Sequence, residues 1–147
     1  MSGSYGAYNE YELEAVASGP LGERAAGRLS LRRQHNDGYT KNAVPGMKAL
    51  DDKDNFAARG QLLFNLTEDA RLLVSADYYR DWSRGGASKF IGGPDGAKTP
   101  AELPPYNGQT LVPFDVRDIV ANLGQKTYGE FWGVKVELAW SLPAFDF

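Results

Sequence analysis

The stretch "FWGVKVELAW", residues 131–140, decides how this chain is read. Its even positions are Trp132, Val134, Val136, Leu138 and Trp140, and its odd positions include Lys135 and Glu137. Strict alternation of this kind is the signature of a β-strand with one apolar and one charged face. Two environments satisfy it. In a soluble sandwich or barrel the apolar face packs a core. In a membrane barrel the apolar face meets lipid and the charged face lines a lumen.

Four more segments alternate in the same way. Roughly 7–18 places Tyr11, Leu13, Ala15 and Ala17 on one face and Glu10, Glu12 and Glu14 on the other. Roughly 25–36 sets Leu29 and Leu31 against Arg28, Ser30, Arg32 and Gln34. Roughly 55–65 sets Phe56, Ala58, Gly60, Leu62 and Phe64 against Arg59, Gln61 and Asn65. Roughly 70–82 sets Leu72, Val74, Ala76 and Tyr78 against Ser75, Asp77, Tyr79 and Asp81. The fifth segment, roughly 127–142, contains the opening stretch. No convincing helical period appears. The pattern predicts an all-β, antiparallel up-and-down meander of about five to six strands in one domain over residues 1–147.

Composition agrees and narrows the function. The chain of 147 residues carries a net charge of −3, so bulk attraction to nucleic acid is not expected. It has no cysteine, which excludes disulfide scaffolds, thiolate metal sites and cysteine nucleophiles. Mean hydropathy is −0.44, and no apolar run approaches the ~18 residues of a membrane helix. A membrane barrel escapes that test, because alternation dilutes its apolar signal.

The connections alternate between short ("SGPLGER", "NLTEDA") and long ("HNDGYTKNAVPGMKALDDKD", then roughly 83–126, which holds most of the prolines). Membrane barrels show this rhythm, with tight turns at one end and long loops at the other. A structureless connection of such length counts against a compact soluble domain. Pairing the third and fourth segments about Glu68 sets Phe64 opposite Leu72, Leu62 opposite Val74, Gly60 opposite Ala76, Arg59 opposite Asp77 and Gln61 opposite Ser75. Opposite charges then meet across strands. Pairing the first two about Gly22 sets Glu12 opposite Arg32 and Glu14 opposite Ser30. In the fifth segment Trp132 and Trp140 bracket the apolar run. At ~3.3 Å per residue they stand about 26 Å apart, or about 20 Å of depth at a tilt of roughly 40°, close to the apolar band of an outer-membrane barrel between its aromatic girdles.

The stretches "SGPLGERAAGRLSLRRQHNDGYTKN" (18–42), "DDKDNFAARGQLLFNLTEDARLLVSADYYRD" (51–81) and "FWGVKVELAWSL" (131–142) resemble the barrel of TonB-dependent outer-membrane receptors. The order and spacing of the "SGPL" turn, the "DGY..N" loop start and the "D.D.FAARGQLLF" strand carry the likeness. The resemblance implies a share of a barrel of about 22 strands with a plugged lumen, in the outer membrane of a Gram-negative bacterium. It implies uptake of a scarce nutrient, often a ferric siderophore, driven by the TonB complex. The chain is then expected to be a partial receptor sequence, without signal peptide, TonB-contacting segment or plug. Its partners would be outer-membrane lipid and, in the full receptor, the plug and the TonB complex, with no nucleic acid and no oligomer. Trp132 and Trp140 are expected to form a lipid-facing girdle, with Glu12, Arg32, Arg59, Asp77, Lys135 and Glu137 facing the lumen. Tyr79, Trp82 and Arg84 are candidates for ligand contact from an outer loop.

No catalytic, cofactor or metal site is expected. His35, the sole histidine, reads as a polar residue at a strand end rather than a ligand. Asp51, Asp52 and Asp54 in "DDKDN" invite a calcium clip but lack the pattern of an EF-hand loop. "GGASKFIGGPDGAK" (85–98) lacks the context of a phosphate loop, and the sequon at Asn65 falls in a tight turn. A soluble all-β binding module and a small structural outer-membrane barrel remain alternatives. The small barrel needs about eight strands.

Overall fold

In the computed structural model, which describes residues 1–86, 118–119 and 126–141, the chain forms one six-stranded sheet. The strands are β1 (Ser2–Tyr5), β2 (Tyr11–Pro20), β3 (Ala25–Asn36), β4 (Lys53–Asn65), β5 (Ala70–Asp81) and β6 (Gly129–Trp140). Their order in the sheet is their order in sequence, every neighbouring pair is antiparallel, and the sheet is not closed into a barrel. It is a meander, as the alternation predicts.

Five strands overlap the segments that the sequence marks, the first of them displaced towards the C-terminus. The sixth, β1, carries no alternation in "SGSY" and is short, so its sequence signal is weak. Its backbone nevertheless pairs from Ser2↔Glu14 to Tyr5↔Tyr11. Tyr8 and Asn9 take positive φ, at 60° and 53°, which reverses the chain between β1 and β2. The second strand therefore starts at Tyr11 rather than near Ala7.

Registers follow the side-chain pattern. The β4–β5 ladder pairs Phe64↔Leu72, Leu62↔Val74, Gly60↔Ala76, Arg59↔Asp77 and Gln61↔Ser75, each as the sequence predicts. The β2–β3 ladder differs from expectation: Glu14 faces Arg32, and Glu12 faces Gln34. The Leu21 amide donates to the Ala25 carbonyl at 2.8 Å, so the turn is centred on Glu23, one residue beyond Gly22. Moving a turn centre by one residue moves every partner by two. Both faces survive, because side chains alternate with a period of two.

The ladders bring apolar side chains into rows across the sheet. One row runs Ala15, Leu31, Ala58, Tyr78 and Trp132; the next runs Ala17, Leu29, Gly60, Ala76 and Val134. Then come Gly19, Gly27, Leu62, Val74 and Val136, and below them Ala25, Phe64, Leu72 and Leu138. Nothing covers this face among the described residues. Trp132 is 79% exposed, Val134 64% and Trp140 67%. Covering the five outward side chains of β6 alone would be worth on the order of 10 kcal/mol.

Apolar burial lies mostly outside the sheet. Among the described residues the buried hydrophobic side chains are Val44, Leu50, Ala70 and Ile119, and only Ala70 is in a strand. The short connections, 21–24 and 66–69, lie at one end of the sheet. Connections 6–10 and 37–52 lie at the other, where β5 also ends and β6 begins, Asp81 pairing with Gly129. At that end the bridge Thr40↔Leu50 closes connection 37–52 on itself, and Asn42↔Ile119 ties it to the next long connection. Gly38 permits this packing: its φ is +97°, and a Cβ there would stand 2.5 Å from the Leu50 carbonyl oxygen. Gly38→Ala should therefore weaken the Thr40–Leu50 pair by about 1–3 kcal/mol. The amides of Thr40 and Leu50 would then exchange hydrogen faster. Gly22→Ala, in open space at a tight turn, should leave those amides unchanged.

Candidate functional site

The face opposite the apolar rows is charged, and the same registers build it. One row runs Glu14, Arg32, Ala57, Tyr79 and Phe131; the next runs Val16, Ser30, Arg59, Asp77 and Gly133; the third runs Ser18, Arg28, Gln61, Ser75 and Lys135. Arg32 joins two carboxylates, with Nη2 2.6 Å from Glu12 and Nε 3.2 Å from Glu14. Gln34 also donates to Glu12, at 2.8 Å. Arg59 pairs with Asp77 across β4 and β5, and Lys135 with Glu137 at 2.6 Å along β6. The face thus groups Glu12, Arg32, Arg59, Asp77, Lys135 and Glu137, as the sequence anticipates, although Arg32 stands directly opposite Glu14 rather than Glu12.

A recess of about 550 Å³ opens over the middle of this face. Its charged lining is Arg28, Arg32, Arg59, Glu14 and Asp77, and Tyr79 and Phe131 lie beside them. The two rings stack at 6.3 Å. Arg28 makes no ion pair among the described residues. Arg32 and Arg59 are held by carboxylates there, so the recess offers one arginine without an ion pair, Arg28, beside an aromatic platform, a surface suited to polar solutes. Towards the short-turn end the same face turns apolar, with Leu63 opposite Leu73.

The three loop candidates part company. Tyr79 lies in the recess, its hydroxyl 3.4 Å from Asp81. Trp82 lies on the other face, ringed by Arg80, Lys126 and Tyr128. Arg84 is committed to the fold. Its Nη2 stands 3.1 Å from Asp52 Oδ2, its Nη1 donates to the Ala49 carbonyl at 3.1 Å, and its amide donates to Asp52 Oδ1. The Asp52 side chain is only 5% exposed, so this pair clasps connection 37–52 to the end of β5.

The carboxylates of "DDKDN" diverge. Asp51 accepts from Thr40, Asp52 holds Arg84, and Asp54 Oδ1 lies 2.7 Å from Arg33 Nη1 at an angle outside hydrogen-bond geometry. His35 stacks against Tyr11 at 5.1 Å and places Nε2 3.4 Å from Asp37. No group of three metal-ligating side chains occurs among the described residues. Tyr39 donates to Glu10 at 2.9 Å, and that bond raises its phenol above the ordinary range. Tyr128 donates to Glu130 and shifts upward for the same reason. Asn65 ends β4, and Thr67 Oγ1 accepts from the Asp69 amide in the turn that follows. Of 85–98, all but Gly85 and Gly86 lies outside the described residues, as does most of the proline-rich connection.

Phe131 was not among the residues singled out in the sequence, although period-two counting from Lys135 places it on the charged face. The Arg84–Asp52 pair left no sequence signal, since it joins two irregular segments.

Removing Arg84 should strand a buried carboxylate, at a cost of about 2–3 kcal/mol to the local structure. Arg84→Ala should therefore speed tryptic cleavage at Lys41 and Lys48. Adding Asp52→Asn should restore most of the resistance, because no unpaired charge remains.

No protein-family model matches the chain, and no curated protein or solved structure matches it.

Proposed function

We propose that this chain is a section of the wall of a transmembrane β-barrel, with its apolar face towards lipid and its charged face towards a polar lumen. The observation that carries the reading is the set of apolar rows from Trp132 to Leu138. They run across β2–β6 on one face, uncovered among the described residues, while ion pairs and a polar recess occupy the other. An open single-layer sheet with an uncovered apolar face is a poor soluble domain. The same sheet continued by further strands and set in lipid would satisfy its edges and its apolar face together. Both long connections leave and re-enter the sheet at the same end, which adds support, since outer-membrane barrels have one long-loop end.

The resemblance to TonB-dependent receptors extends the proposal. The wall belongs to an outer-membrane receptor that takes up a scarce nutrient such as a ferric siderophore, energised through the TonB complex and gated by a plug. On this reading Trp132 and Trp140 belong to girdles at the two edges of the apolar band. The recess at Arg28, Arg32, Arg59, Tyr79 and Phe131 lies on the lumen wall.

Two adjacent residues of β6 test the orientation. Val134→Arg puts a charge in the middle of the apolar face and should weaken binding to phosphatidylcholine vesicles by about 2–4 kcal/mol. Gly133→Arg adds the same charge to the other face, where a Cβ meets nothing within 4 Å, and should bind like the parent. Equal behaviour of the two variants in vesicle flotation, or no binding by the parent chain, would favour a soluble module.

A further inference from the structure

At the long-loop edge of the apolar face, two cations gather on one indole. The Arg80 guanidinium carbon lies 4.1 Å from the Trp82 ring centroid, and Lys126 Nζ lies 5.5 Å from it. Tyr128 packs against the same ring at 6.0 Å. The other cations of this rim have partners: Arg33 meets Asp54, and His35 meets Asp37. Arg80 and Lys126 make no ion pair among the described residues. The carboxylate nearest in the ladder belongs to Glu130, opposite Arg80. It is occupied by two phenols, Tyr78 at 3.0 Å and Tyr128. Arg80 Nε is buried and has no acceptor among the described residues.

A buried guanidinium donor without an acceptor is costly, and such groups ordinarily find a partner. An anion beside the guanidinium would supply one. Two cations about one ring suit a tetrahedral phosphate, with the planar guanidinium giving paired hydrogen bonds and the ammonium a point charge. The neighbourhood says where that phosphate comes from. Further along the same face lie Tyr78, Trp132 and the apolar rows, and Trp82 itself is 38% exposed. A phosphate bound here would have its attached acyl chains beside an apolar surface. Interfacial Trp and Tyr, with cations at headgroup level, mark the same boundary in membrane proteins generally.

We propose that Arg80, Trp82 and Lys126 form a binding site for the phosphate of an anionic lipid. The site rests on the barrel-wall reading and names a lipid partner for that face. The guanidinium and ammonium hold the phosphate, and the indole supports both cations from the apolar side.

The chain in dodecylmaltoside micelles, titrated with phosphatidic acid, tests this, with Trp82 emission as the readout in a Trp132→Phe/Trp140→Phe background. Phosphatidic acid should change the emission saturably, whereas phosphatidylcholine and inorganic phosphate should not. Each cation removed should raise the half-saturating lipid fraction about fivefold, and Arg80→Gln/Lys126→Gln about 25-fold. Lys41→Gln/Lys48→Gln, the same charge change in connection 37–52, should leave it unchanged. Lys126 is exposed, so Lys126→Gln alone carries the test if the double variant fails to fold. Equal shifts in both double variants, or an equal response to phosphatidylcholine, would overturn the site. An equal response to inorganic phosphate would overturn the lipid as its ligand. A chain that stays off micelles would sink the barrel-wall reading and this site with it. One that enters micelles but ignores phosphatidic acid would sink this site alone.

Discussion

A one-residue slip of any strand in this sheet would exchange its two faces, putting charges among the apolar rows. Register is therefore the constraint on which the rest depends. The antiparallel ladders hold it through backbone hydrogen bonds, and the side chains make it specific. Arg59 meets Asp77 on one face, while Leu62 meets Val74 on the other. Once the ladders are fixed, the apolar rows and the lining of the recess follow from counting in twos.

That constraint also explains what the sequence discloses. The β4–β5 hairpin was legible residue by residue, because a tight turn and long alternating flanks leave one pairing that matches both faces. The β2–β3 hairpin was legible in its faces but two residues off in its partners. "GPLGER" admits neighbouring turn centres, and an even shift preserves alternation. Arg32 tolerates the difference, since its long side chain reaches both Glu12 and Glu14. β1 is not legible in the sequence because the four residues "SGSY" carry no alternation, and its pairing is a property of the backbone.

The sites divide along the same line. Residues inside strands could be placed from the sequence: Glu12, Arg59, Lys135 and Glu137 all share the charged face. Beyond the strand ends the period of two stops informing. Tyr79, Trp82 and Arg84 are close in sequence, yet one lies in the recess, one on the apolar face and one in an ion pair with Asp52. Arg80 and Trp82 could have been assigned a common face, being two residues apart on β5 and its extension. Their approach to Lys126 depends on the β5–β6 register, which returns that distant segment to the end of β5. A ladder does here what no local motif can: it gives two remote segments a shared chemical surface.

In the proposed barrel wall, alternate residues of β6 see lipid and water. The chain has no cysteine, so single cysteines introduced from Trp132 to Trp140 report their positions without background. Spin labels at these positions in phosphatidylcholine bilayers would be challenged with oxygen and with a water-soluble nickel complex. Labels at 132, 134, 136, 138 and 140 should collide preferentially with oxygen, and those at 133, 135, 137 and 139 with nickel, with oxygen contact deepest near 136. A profile without period-two alternation, or with nickel reaching both sets equally, would contradict the assignment of the apolar face to lipid.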